Sequence, residues 1–247
     1  MNQNAPIGTN RTGIAGAPQR SQDMRTGMDE FPPTLQGSAQ AVAAVRIAYA
    51  KTAEPLGSVP LPATWTATIQ TAVKAVKGEQ PILFMDKLGE RLAFERTGVR
   101  LYEALLSKYD AFGSFPGGPS RDDLEQIRQE EYGHFTLLHA AIAELGGDPT
   151  AVTPSANLHG TVAHGITMVL VDPRTTLLQS LEAILVIELA DNACWEALGE
   201  LAQAAGEATL AQQFAQASMT EQAHLRKVHT WLAAGQGRAQ HVRQAAG

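Results

Sequence analysis

Two histidines in this chain stand three residues after a glutamate: Glu131/His134 within EEYGH and Glu221/His224 within TEQAH. On an α-helix a three-residue step returns to the same face, so each pair presents a carboxylate beside an imidazole. Two further glutamates, Glu95 and Glu188 (in IELAD), sit in segments with the same helical period. Buried together, four carboxylates would raise one another's pKa and cost several kcal/mol each unless compensated. Two divalent cations balance the four negative charges, and a neutral imidazole can donate a lone pair to each ion without changing that balance. Oxygen-rich ligation with one imidazole per ion and no thiolate favours iron or manganese over zinc or copper(I).

The count of pairs is less informative than their position. With 16 glutamates in 247 residues, about 0.45 of the seven histidines would follow one at this spacing by chance. Placement within the apolar stripes carries the signal. Four stripes at 3,4 spacing are legible: Leu88, Leu92, Glu95, Val99, Tyr102, Leu106; then Leu124, Ile127, Glu131, His134, Leu138, Ala141, Leu145. The other two are Leu177, Leu181, Ile184, Glu188, Asp191, Trp195, Leu198 and Leu210, Phe214, Ala217, Glu221, His224, Val228, Trp231. Each is interrupted near its middle by a glutamate, and no Lys or Arg falls in the stripes as chosen. In an antiparallel bundle the midpoints share one level. The competing readings are buried Glu and His bonding to one another, or stripes turned toward water.

These residues must be carried by four helices. Helix A is predicted over 82–110 and ends at AFGSFPGGPS. Helix B begins at Ser120, an N-cap with an acid three residues on, and stops at Gly146-Gly147. Helix C is predicted from Asp172-Pro173 to about Ala205, with Gly206 as its stop. Helix D is predicted over 207–234, closed by Gly235. The links are about ten residues for A to B, about 25 for B to C, and one or two for C to D. The expected fold is therefore all-α, a four-helix bundle with one long crossover between helices B and C. No period-two run of Val, Ile or Thr competes. Residues 1–36, rich in Gly, Pro, Asn, Gln, Ser and Thr, are expected to be mobile. Two short helices, 38–53 and 64–77, are expected within 37–80, packing on or beside the bundle of 81–234. A flexible tail is expected at 235–247.

Over 81–234 the pattern resembles the ferritin-like superfamily of carboxylate-bridged di-iron proteins, most closely its rubrerythrin and bacterioferritin members. The common template is one Glu on each of two bundle helices and Glu-x-x-His on each of the others. The resemblance implies a ferritin-like bundle holding two Fe ions, or two Mn ions, with Glu95, Glu131, His134, Glu188, Glu221 and His224 as metal ligands. It also implies that Tyr102 hydrogen-bonds a ligand from outside the metal's own shell, and that a carboxylate of a Glu-x-x-His pair bridges or terminates at the metals. Where rubrerythrins often carry a further Glu, this chain has Asp191, whose short side chain is expected to fix a ligand His. The Cys-rich electron-transfer domain of rubrerythrins has no counterpart, so a peroxidase would need an external electron donor.

Composition narrows the remaining choices. Nineteen Lys and Arg against 25 Asp and Glu give a net charge of −6, which lacks the basic footprint of nucleic-acid binding. The apolar runs are far shorter than the roughly 20 residues of a membrane span, so no membrane partner is expected. The single Cys194 excludes a disulfide framework and makes the cytoplasm the expected compartment. A homo-oligomer is compatible with the sequence. Cys194, Trp195 and Trp231 read as core residues, and His139, Glu90 and Glu103 as surface residues. His159 and His164 read as loop histidines in the crossover, and Glu182 lies one position from its stripe. Three functions fit: an oxidoreductase reacting with dioxygen or hydrogen peroxide, a non-enzymatic iron-handling protein, and a bundle with a structural metal site.

Overall fold

The structure, a computed structural model, describes residues 18–32, 37–60 and 81–245, the side chains of 238–245 excepted, and every regular element among them is an α-helix. The chain divides into two compact units, residues 1–54 and 55–247. In the first, α1 (Pro18–Glu30) is helical within a segment expected to be mobile, and α2 (Ala39–Thr52) starts at Ser38, whose hydroxyl accepts from the Ala41 amide at 3.0 Å. Neither helix buries a residue. The predicted helix at 64–77 lies outside the described residues.

The second unit contains α3 (Pro81–Phe112), α4 (Arg121–Glu144), α5 (Pro154–Val171), α6 (Leu177–Ala204) and α7 (Ala208–Ala245). Local chemistry sets most boundaries. Ser120 and Asp123 form a reciprocal capping box that starts α4, and Thr176 with Gln179 does the same for α6. Gly146 and Gly206 adopt positive φ, 82° and 76°, just after α4 and α6. The following amides, Gly147 and Glu207, bond back to Ile142 and Ala202, closing each helix with a Schellman turn.

Three expectations change. The long crossover is not a loop: Thr153 caps α5, Pro154 occupies its first turn, and Ala156, His159, Ala163 and Leu170 form its buried side. Asp172 accordingly ends α5, and α6 begins later, at Leu177. Gly235 does not stop α7, which continues to Ala245. A Cβ at Gly235 would overlap Leu178, so the glycine serves close helix packing.

Side-chain ties show the direction of α5. At its start the Ser155 amide and hydroxyl donate to Asp86 at 3.0 and 2.6 Å. At its end Lys108 Nζ donates to the carbonyls of Asp172 and Thr175 at 2.8 and 2.9 Å. Asp86 and Lys108 lie near opposite ends of α3, so α5 runs parallel to α3 and returns the chain before α6 descends. Helix α3 packs against α4, α5 and α6, and α6 pairs extensively with α7. Two apolar clusters result. One contains Phe94, Leu101, Leu105, Leu124, Ile127, Leu181, Ile184 and Val228; the other contains Leu88, Leu92, Leu138, Ile142, Trp195, Leu198 and Phe214. Among the described residues no helix is long and apolar enough to cross a membrane.

Because Lys108 donates to the carbonyls of Asp172 and Thr175 where α5 ends, Lys108→Met is expected to lower the unfolding free energy by about 2 kcal/mol, the loss of part-buried charge-assisted hydrogen bonds. Guanidinium denaturation reads this as a lower midpoint at unchanged slope. An unchanged midpoint would show that the ammonium does not brace that junction.

Candidate metal centre

The interrupted positions of the four stripes converge between the two apolar clusters. Glu95 comes from α3, Glu131 and His134 from α4, Glu188 and Asp191 from α6, and Glu221 and His224 from α7, all buried. They form two groups of one imidazole and two carboxylates, Glu95/His134/Glu221 and Glu131/Glu188/His224. Within each group one donor atom per residue lies within 4.8 Å of the others. Ligands at about 2.1 Å from a divalent ion stand up to about 4.2 Å apart across it, so each group is near the size that encloses one cation.

Glu221 joins the groups. Its Oε1 is 2.6 Å from His134 Nδ1 and its Oε2 is 3.0 Å from His224 Nδ1, so one carboxylate faces both imidazoles. His134 Nδ1 also stands 3.7 Å from Glu95 Oε2, and His224 Nδ1 3.6 Å from Glu131 Oε1. The rings of the two histidines are 6.4 Å apart. Although His134 Nδ1 and Glu221 Oε1 are close, they are not aligned as a hydrogen bond, and both remain without a hydrogen-bonded partner. Each of the four glutamates leaves one buried oxygen unpaired: Oε2 of Glu95, Glu131 and Glu188, and Oε1 of Glu221. Uncompensated, each such atom costs about 1–3 kcal/mol, more if charged. A shared cation would compensate them together, so the donor set fits a pair of hard or borderline divalent ions.

The surrounding side chains hold these donors. The Tyr102 hydroxyl donates to Glu188 Oε1. His224 Nε2 meets Glu130 Oε2 at 2.7 Å, which leaves Nδ1 turned inward. Asn192 Nδ2 donates to the carbonyls of Glu188 and Glu221 at 2.9 and 3.2 Å, tying α6 to α7 at this level. Gly98 is buried where a Cβ would overlap Glu131 Oε2, so this position makes room for the carboxylate.

Asp191 does not fix a histidine. Its carboxylate pairs with Arg91, which also donates to Glu95 Oε1. Arg91 lies outside the predicted stripe, yet it is only 1% exposed. Lys108 is buried too. The 3,4 stripe drawn for helix A was too narrow, because α3 is covered on several sides. Arg91 stands one turn before Glu95, and that spacing was the available signal.

His159 is in α5, buried, with its ring 4.2 Å from that of Phe94, whereas His164 is exposed and borders a shallow depression on α5. His139, Glu103 and Glu182 are exposed, Glu90 is half-buried, Trp195 and Trp231 are core, and Cys194 is half-buried rather than core.

In the metal-free chain protons share the work of compensation. Burial opposes charging of His134 and His224, but Glu221 and the neighbouring carboxylates prevail and raise both to about 9. Burial, reinforced by the Glu221 charge, pushes Glu188 up to about 8 and Glu131 well above the usual carboxylate range. Glu221, despite its burial, is held below that range by the two imidazoles.

Neither a protein-family model, a curated protein nor a solved structure matches the chain. The metal reading therefore rests on the donors themselves, and two outcomes test it. At pH 7 both imidazoles, at about 9, and Glu188, at about 8, hold protons, so loading two divalent ions is expected to release about three protons or more. Affinity should rise with pH toward about 9 and fall in acid. Calorimetry in buffers of different protonation enthalpy measures the release, and loading without release would refute this charge balance. Gly98→Ala should displace the Glu131 carboxylate and weaken metal binding by about 10–100-fold, read by competition with a chelator, while far-ultraviolet circular dichroism stays unchanged.

Proposed function

We propose that the chain is a dinuclear metalloprotein of ferritin-like four-helix architecture, with two Fe ions or, alternatively, two Mn ions, acting as an oxidoreductase on dioxygen or hydrogen peroxide. One observation carries this reading: each of four buried glutamates keeps an unpaired oxygen beside two imidazoles, in two equivalent groups. The proposed ligands are Glu95, His134 and Glu221 for one ion and Glu131, Glu188 and His224 for the other, with Glu221 placed to span both. The parallel α5 between α4 and α6 supports the single-crossover topology.

Bound iron would exchange electrons with the oxidant, whereas manganese in the same donors would disproportionate peroxide without an added reductant. The protein's own contribution is positioning. Tyr102 holds Glu188 by its hydroxyl, and Glu130 sets the tautomer of His224. Apolar packing on either side keeps bulk water out, which strengthens every charge interaction inside. An iron peroxidase built this way would take electrons from an external donor.

Elemental analysis of the native protein is expected to find close to two Fe or Mn ions per chain. Glu131→Ala and His224→Ala should each lose most of that metal, and peroxide turnover with and without reductant should fall with it. Full metal content in both variants would refute the ligand assignment. Iron uptake far beyond two ions per chain, without steady turnover, would favour storage over catalysis.

A further inference from the structure

Arg91 introduces a permanent positive charge into a centre otherwise made of carboxylates and imidazoles. A guanidinium cannot be deprotonated in a protein, so it differs from the protons that a metal ion displaces. It donates to Glu95 Oε1 and Asp191 Oδ1, and its Cζ lies 4.1 Å from the centroid of the Phe94 ring and 5.4 Å from that of Trp195. Aromatic walls and two carboxylates thus fix both its position and its charge.

The partners of this guanidinium belong to a third donor group. One oxygen each from Glu95, Glu131, Asp191 and Glu221 lies within 4.8 Å of the others. All four residues are buried, and Asp191 Oδ2, Glu95 Oε2, Glu131 Oε2 and Glu221 Oε1 have no hydrogen-bonded partner. Four oxygens with no nitrogen suit a hard cation such as Mn²⁺ or Mg²⁺. The interior therefore offers three overlapping donor groups, while Arg91 already occupies two carboxylates of the third. The charges agree. Five carboxylates and one guanidinium leave four negative charges, the amount that two divalent ions balance.

We propose that Arg91 is the built-in third cation of the centre: it holds Asp191 as a counter-ion instead of a ligand and so limits the metal count to two. The inference rests on the two-ion reading above and adds to it a determinant of stoichiometry. Removing the guanidinium exposes a fifth carboxylate to the site and leaves one more negative charge than two ions can balance.

The test counts Mn²⁺ ions per folded chain by equilibrium dialysis and elemental analysis, with circular dichroism to verify helicity. The unaltered chain should bind two, and Asp191→Asn, which keeps the guanidinium but removes its counter-ion, should bind no more than two and about 10–100-fold more weakly. Arg91→Met should bind about three, and Arg91→Met with Asp191→Asn should return to two. Two ions in Arg91→Met, or three in the double variant or in Asp191→Asn, would each overturn the proposal. Should Arg91→Met fail to fold, Arg91→Gln, which keeps a hydrogen-bond donor without the charge, takes its place: three ions are expected, and two would overturn the proposal. Three ions in the unaltered chain would overturn only this inference; none would overturn the two-ion reading itself.

Discussion

Carboxylates removed from water must be neutralised within a few ångströms, and the second unit of this protein is organised around that requirement. The polar layer formed by Glu95, Glu131, Glu188, Asp191 and Glu221 separates two apolar clusters, each of which would be an ordinary helical core by itself. Keeping such a layer buried requires that no helix turn away from it. The caps at Ser120 and Thr176, the Schellman closures at Gly146 and Gly206, and the Asn192 bridge between α6 and α7 all serve to fix helix phase. Rotating a single helix by one residue, about 100°, would carry its carboxylate out of reach of the others.

Compensation is divided among the carboxylates. The imidazoles face Glu221 from both sides. Arg91 offsets Asp191 and part of Glu95 from the α3 side. Glu130, about one-third exposed, holds the outer nitrogen of His224 and connects a buried donor to solvent. A metal-free interior can thus remain folded by retaining protons on groups that a cation would strip, which makes proton and metal occupancy two states of one electrostatic arrangement.

Much of this is legible in the sequence. A glutamate in the middle of an apolar stripe is conspicuous because most of its stripe is apolar, and the helices carrying Glu95, Glu131, Glu188 and Glu221 bring them together. Arg91 was missed because a 3,4 stripe represents one contact face, whereas α3 packs against three neighbours and buries a wider arc that includes Phe94 and Leu101. Helix α5 was missed because its length was assigned to a connection. Of its buried residues Ala156, His159, Ala163 and Leu170, only Leu170 is a large apolar side chain, so no apolar stripe stands out. Gly235 was misread for a different reason. Glycine marks a helix end when it adopts positive φ, as Gly206 does, but it also permits helices to touch, and only the Leu178 neighbour distinguishes the two uses.

The attachments of α5 have a further consequence. Asp86 and Lys108 are 22 residues apart on α3, a span of about 33 Å, and they hold the beginning and end of a helix that is itself 18 residues long. The covering helix is therefore gauged against its neighbour like a rung cut to fit between two posts. In a loop, adding or deleting one or two residues alters only slack. Here it would detach one end and swing His159 off Phe94, so the stretch that most resembles a spacer is the one whose length admits least variation.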